Sequence, residues 1–179
     1  MILSHWRSTS GRPFSQAEAF RKFTAIGRMP ALVLESGETL IESGAILDDL
    51  NEVAGPSRAL IPDRGEERRR SLRILASATA ACDKAMAINY ERRRPAETTS
   101  ADWITRCRSQ LDAALSAVEA FRLELAGVRR LQQTEITAAC MFGYINRVET
   151  HAVVGARYPS LERLSRTCEL RREFMACPP

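Results

Sequence analysis

The sequence has no apolar run approaching the ~20 residues needed to cross a bilayer, so no membrane-spanning helix is expected. Its first residues, "MILSHWRSTSGRP", lack the charged leader, long apolar core and small-residue cleavage site of a secreted precursor. The expected location is therefore cytoplasmic, with no membrane partner. Histidine is scarce: His5 and His151 lie far apart without ligand spacing around them, and no metal is expected. The five cysteines, Cys82, Cys107, Cys140, Cys168 and Cys177, are odd in number and form no C-x-x-C pair. All but Cys177 fall in helix-like segments at or beside apolar positions, as reduced, buried thiols do. Zinc-finger spacing, RNA-binding aromatic motifs, internal repeats and low-complexity tracts are also missing.

What remains is ordinary globular composition. The 179 residues are 45% hydrophobic and 27% charged, enough for one domain or two small ones with a real core. The net charge of +4 comes from 26 basic and 22 acidic residues, and almost every base is arginine. Clusters such as "EERRR" (66–70) and "YERRRP" (90–95) read as solvated helix faces paired with neighbouring Glu, not as a nucleic-acid surface.

Two regions differ in pattern. Residues 1–55 mix short apolar runs with turns, "GPSRALIPDRG" acts as a Pro- and Gly-rich connector centred on 56–62, and 63–179 carries only helical signals. In the first region "ILSHW" predicts a strand and "SQAEAFRKF" a short helix capped by Ser15. "PALVLE-SG-ETLIE" predicts a hairpin with a Gly-containing turn. A helix follows from about Ser43 to Val53, with Ile46, Leu47 and Leu50 on one face and Gly55 beyond its end. In the second region, Leu72, Leu75, Thr79, Cys82, Met86 and Tyr90 recur at helical spacing between Glu66 and Arg93, which predicts a buried stripe. Thr99-x-x-Asp102 predicts the start of a partner helix. Its inner face would be Trp103, Cys107, Leu111, Ala114, Val118, Phe121 and Leu125, and it would end at Gly127. Two such helices with a short connection should pack antiparallel. Shorter helices are expected near Thr134–Val148 and Tyr158–Met175.

The chemistry concentrates in "GRMPALVLESGETLIES" (27–43). Ser43 stands at or near a helix N-cap, where free backbone N–H groups and the positive helix end favour an anion. A Ser hydroxyl there can donate to a carboxylate while Glu42 attracts an ammonium group, a combination suited to an α-amino acid headgroup. Pro30 marks a strand entrance. If the Met29–Pro30 bond is cis, it would also turn the free N–H and C=O of Met29 toward a peptide-like ligand.

The segment "GRMPALVLESGETLIESGAILDDLNE" resembles the second half of the thioredoxin-like domain of glutathione transferases, with an apolar residue before proline, a hairpin and a Glu-Ser helix start. "IPDRGEERRR", "YERRRPAE" and the C-terminal "YPSLERLSRTCELRREFMACPP" resemble bacterial members. The resemblance implies an α+β N-terminal part, an incomplete thioredoxin-like domain, followed by an all-α helical bundle. It further implies glutathione as co-substrate, an electrophilic small molecule as second substrate, conjugation of the two, and a homodimer. By the resemblance, Glu42 and Ser43 hold the γ-glutamyl headgroup, and the Met29 backbone, oriented by Pro30, pairs with the cysteinyl unit. Arg28 would reach the glycyl carboxylate; Arg21 holds a position of the same kind in some classes but reads as a solvated surface residue. Only 28 residues precede Met29, room for one strand and one helix. The family's first strand and helix are thus expected to be missing, and with them the Tyr, Ser or Cys that activates the thiol. The catalytic residue is not identified: Ser8 and Ser10 are near the start, but nothing places them at that position. The alternative is a catalytically impaired binding or dimerisation module. The strand at Pro30–Leu34 would then keep an unpaired apolar edge. Where the family opens a core helix with S/T-x-x-D, "LQQTEITAAC" offers Gln132 and Glu135, an expected loss of ~1 kcal/mol in capping unless Thr134 caps one turn later.

Overall fold

A computed structural model of the protein describes residues 18, 21–27, 29–123, 130–149 and 157–177. The expectations for "ILSHW", Ser8, Ser10, Ser15, Arg28, Leu125, Gly127, His5 and His151 lie outside these residues. The chain divides into two compact units, Met1–Ala59 and Leu60–Pro179. The first is α+β and the second all-α, as the resemblance implies.

In the first unit, strands β1 (Ala31–Val33) and β2 (Thr39–Ile41) pair antiparallel, with Ala31 opposite Ile41, Leu32 opposite Leu40 and Val33 opposite Thr39. Leu32 points inward while Val33 is exposed, the two-residue alternation of a half-covered ribbon. Gly37 makes the turn possible. At φ 87° it takes a conformation costly for a residue with a Cβ, while its N–H donates to the Leu34 carbonyl at 3.0 Å. Helix α1 (Ser43–Ala54) follows directly and ends at Gly55, φ 74°. The segment expected as a helix to Phe23 has already turned at Arg21–Phe23. Among the described residues the sheet has two strands.

The second unit is built on α2 (Gly65–Glu91), α3 (Ala101–Glu119), α4 (Gln133–Val148) and α5 (Pro159–Glu169). A short 3-10 turn lies at Ala96–Thr98 and a final turn, α6, at Arg172–Met175. Helices α2 and α3 run antiparallel: Arg73, early in α2, stacks on Phe121 just past α3, and Lys84, later in α2, meets Trp103 at the start of α3. The inner face of α2 is Ile74, Ala78, Ala81, Ala85 and Ile88, all fully buried. This corrects the expected stripe. Leu72, Met86 and Tyr90 are exposed, Thr79 is exposed and Leu75 and Cys82 are only half-buried. Small alanines face inward because both α3 and α4 pack on that side, and close helix approach leaves no room for Met or Tyr. On α3, Cys107, Leu111 and Val118 are buried as the spacing predicts, with Ala114, and Phe121 just beyond the helix, partly buried; Leu115 is buried outside the expected face, and Trp103 is exposed.

Three helix starts show how the ends are held. Ser100, not Thr99, caps α3, accepting from the Trp103 N–H at 3.2 Å. Gln132 is the N-cap of α4 as aligned, and Glu135 holds this helix start from the other side. The Glu135 carboxylate accepts from the Gln132 N–H at 2.6 Å, closing a capping box in which Thr134 has no capping part. Helix α5 begins after Tyr158, whose side chain gives no cap. Glu119 at the end of α3 supplies both oxygens instead, to the Ser160 N–H at 2.8 Å and the Leu161 N–H at 2.9 Å. Glu149, 1% exposed, is ion-paired to Arg92. No helix among the described residues is long and apolar enough to cross a membrane.

Candidate functional site

The register of the hairpin assembles the site. Ala31 lies opposite Ile41, so the residue before the first, Pro30, and the residue after the second, Glu42, stand at the same end of the ribbon. The Met29–Pro30 bond is cis, and both residues are exposed. Glu42 is the N-cap of α1 and Ser43 its first helical residue. Glu42 adopts φ 70°, ψ 128°, a region that non-glycine residues rarely occupy and that costs about 1–3 kcal/mol. Such a backbone persists where its surroundings over-determine it, and here the cap lies between a strand end and a helix start.

The helix end is open. The first helical bond runs from the Ile46 N–H to the Glu42 carbonyl at 3.1 Å, so the N–H groups of Ser43, Gly44 and Ala45 precede the hydrogen-bonded ladder. The Glu42 side chain makes no capping bond to them, and the first turn carries no acidic side chain. Ser43, Gly44 and Ala45 are exposed, and a Cβ built on Gly44 would meet nothing within 4 Å. A ligand carboxylate can therefore reach three backbone donors and a hydroxyl at the positive end of the helix. The cap carboxylate beside them offers the opposite charge to an ammonium group.

No family model matches the chain. An uncharacterized GST-like protein of Escherichia coli (strain K12), YibF, is 27% identical over 135 residues, 75% of this chain; the chain spans 66% of that relative's length. A glutathione S-transferase structure from Methylobacterium radiotolerans, in complex with glutathione sulfonate, superposes with TM-score 0.84 at 25% identity, covering 94% of this chain and 80% of its own. A glutathione transferase family member from Pseudomonas fluorescens Pf-5, with bound S-(propanoic acid)-glutathione, matches with TM-score 0.79 at 27% identity, over 97% and 84% of the two chains. The chain has the fold of the glutathione transferases.

In this transferase-like fold, Met29, Pro30, Glu42 and Ser43 share one end of the hairpin, and Arg21 is exposed in a turn. The helical unit holds further polar groups, its cysteines and a pair of arginines on one ring. Burial pushes the Cys82 thiol up to about 11, with Asp83 and then Cys140 beside it adding to the effect. Burial likewise raises Cys168 to about 11, partly offset by Arg171. Cys140 is exposed, contrary to expectation, although desolvation still raises its pKa. These protonated thiols are poor nucleophiles near neutral pH. Arg70 and Arg73 both stack on Phe121, at 5.3 and 5.5 Å from the ring centroid, a constellation the helical stripe does not reveal. The i, i+3 spacing of the two arginines was its one sequence signal.

Proposed function

We propose that this chain binds glutathione at the shared end of the hairpin and, in its complete catalytic setting, conjugates the glutathione thiol to an electrophilic small molecule. The observation that carries the reading is the pairing of Met29–Pro30 with the open helix end at Glu42–Ser43. The γ-glutamyl carboxylate would sit on the N–H groups of α1 and the Ser43 hydroxyl, and its ammonium group against Glu42. The Met29 backbone would pair with the cysteinyl unit beside Pro30, and Arg28 would meet the glycyl carboxylate. Residues 1–55 then form the glutathione-binding part, joined through 56–62 to the helical part, 63–179. Family members with glutathione or its derivatives bound support the ligand class. In conjugation, the thiol loses its proton to solvent, the sulfur forms a bond to the electrophilic carbon, and the displaced group leaves with the electron pair. No thiol-activating residue is assigned. The proposed setting is a cytoplasmic homodimer.

Retention on immobilised glutathione, with release by free glutathione, tests the binding. Glu42→Ala removes a charge-assisted contact of ~1.5–3 kcal/mol and should weaken binding by about 10- to 100-fold. Unchanged retention would refute the assignment. A second reading, a holding or dimerising module without turnover, is favoured by the exposed apolar stripe Leu72, Met86 and Tyr90 on α2. Turnover of a generic electrophile separates the two readings, and sedimentation tests the dimer.

A further inference from the structure

The Arg70, Arg73 and Phe121 constellation lies wholly within the helical unit. Arg70 and Arg73 are one turn apart on α2, and both guanidinium groups stand within 5.5 Å of one ring centroid. Two like charges three residues apart on a helix repel, so local sequence alone would splay them. The negative π-face of Phe121 attracts both, so one ring positions two planar donor forks. Phe121 is half-buried, so its position is set by the core while both arginines remain exposed. Among the described residues neither guanidinium forms an ion pair; their contact is the ring. Arg69 precedes the pair and Arg122 follows the ring, both exposed, with Arg122 at φ 47°. The opposing charges nearby are Glu66 and Glu67, in the first turn of α2. Glu119, at the end of α3, is occupied by the Ser160 and Leu161 N–H groups.

We propose that Arg70 and Arg73, aligned by Phe121, form a binding site for a tetrahedral oxyanion, the phosphate dianion of inorganic phosphate or of a phosphomonoester. A phosphate carries the charge to neutralise both forks, and enough oxygens to accept from each in bidentate fashion. An extended acidic surface would not need the two forks held at one ring. Glu66, four residues before Arg70, competes with the ligand for that guanidinium.

Calorimetric titration of the full chain with inorganic phosphate, at ionic strength fixed with chloride, tests the site, and glycerol phosphate in a second arm distinguishes a free ion from an esterified one. Saturable binding is expected, weakened at least tenfold in Arg70→Gln and in Arg73→Gln. Phe121→Leu should weaken it while leaving both charges in place, and Glu66→Gln should tighten it by removing the competitor. Titration of Arg side-chain Nε–H resonances gives an independent readout, in which the two arginines should shift together. The proposal is overturned if phosphate shows no saturable binding beyond the chloride background. It is equally overturned if the Arg→Gln variants bind as the parent does.

Discussion

Replacing Arg92 by Ala puts the electrostatics of the helical unit under the sharpest strain. Glu149 is 1% exposed, one of its oxygens is paired with Arg92, and the other, Oε2, is buried without a hydrogen-bond partner. Removing the guanidinium would leave a carboxylate with neither counter-charge nor donor. Stranding one member of a buried pair costs about 3–5 kcal/mol. Arg92 is 34% exposed on its side chain, so water can enter where it stood, and the lower end, about 3 kcal/mol, is the expected loss. In a chain of this size that lowers the melting temperature by about 6–12 °C. The assay is thermal and urea unfolding followed by helical circular dichroism, with Arg92→Met/Glu149→Leu as the partner variant. Exchanging both charges for apolar groups should recover most of the loss, because no ion is then buried. A loss below about 1 kcal/mol for Arg92→Ala, or a double variant as unstable as the single one, would refute the reasoning.

Other consequences follow from individual contacts. Glu119→Ala removes two charge-assisted bonds from the start of α5 and should cost about 2 kcal/mol, with faster hydrogen exchange at the Ser160 and Leu161 amides; unchanged exchange would show that the cap is immaterial. Phe142→Ala, at a 2% exposed core position, should cost about 3–5 kcal/mol in the same unfolding assay. The raised thiols predict a pH effect. Cys82 ionises near 9.0 when unfolded but at about 11 when folded, so its contribution is complete below pH 9 and is lost as pH rises through about 11. Stability should therefore fall between these values, and Cys82→Ala should flatten that limb of the pH profile. A profile identical to the parent's would contradict the burial argument.

The hairpin and its helix were legible because each boundary carries its own local signal. Pro30 opens the strand, Ser36–Gly37 turns it, Glu42–Ser43 starts the helix and Gly55 stops it. The extents of α2 and α4 were legible for the same reason, whereas α3 ends at Glu119, short of the stop expected at Gly127. Which face of α2 is buried was not. Leu72, Met86 and Tyr90 form the more hydrophobic stripe, but Ala78, Ala81 and Ala85 face inward because two neighbouring helices press close, a tertiary demand that periodicity cannot express. The caps divide the same way. Ser100 replaces Thr99 by a one-residue shift inside a readable signal. Glu119, by contrast, caps α5 from 41 residues away, and Arg92 reaches Glu149 across 57. Glu135 holds the start of α4 from three positions beyond its cap residue. At the candidate site, the residue types were readable, while the positive φ of Glu42 and the register that puts it level with Pro30 came only from the structure.

Calorimetric titration of glutathione into the parent chain and Glu42→Ala, with circular dichroism to confirm an unchanged fold, tests the central claim most directly. The account predicts saturable binding by the parent and a weakening of about 10- to 100-fold in the variant. Equal affinity in the two folded proteins would contradict it.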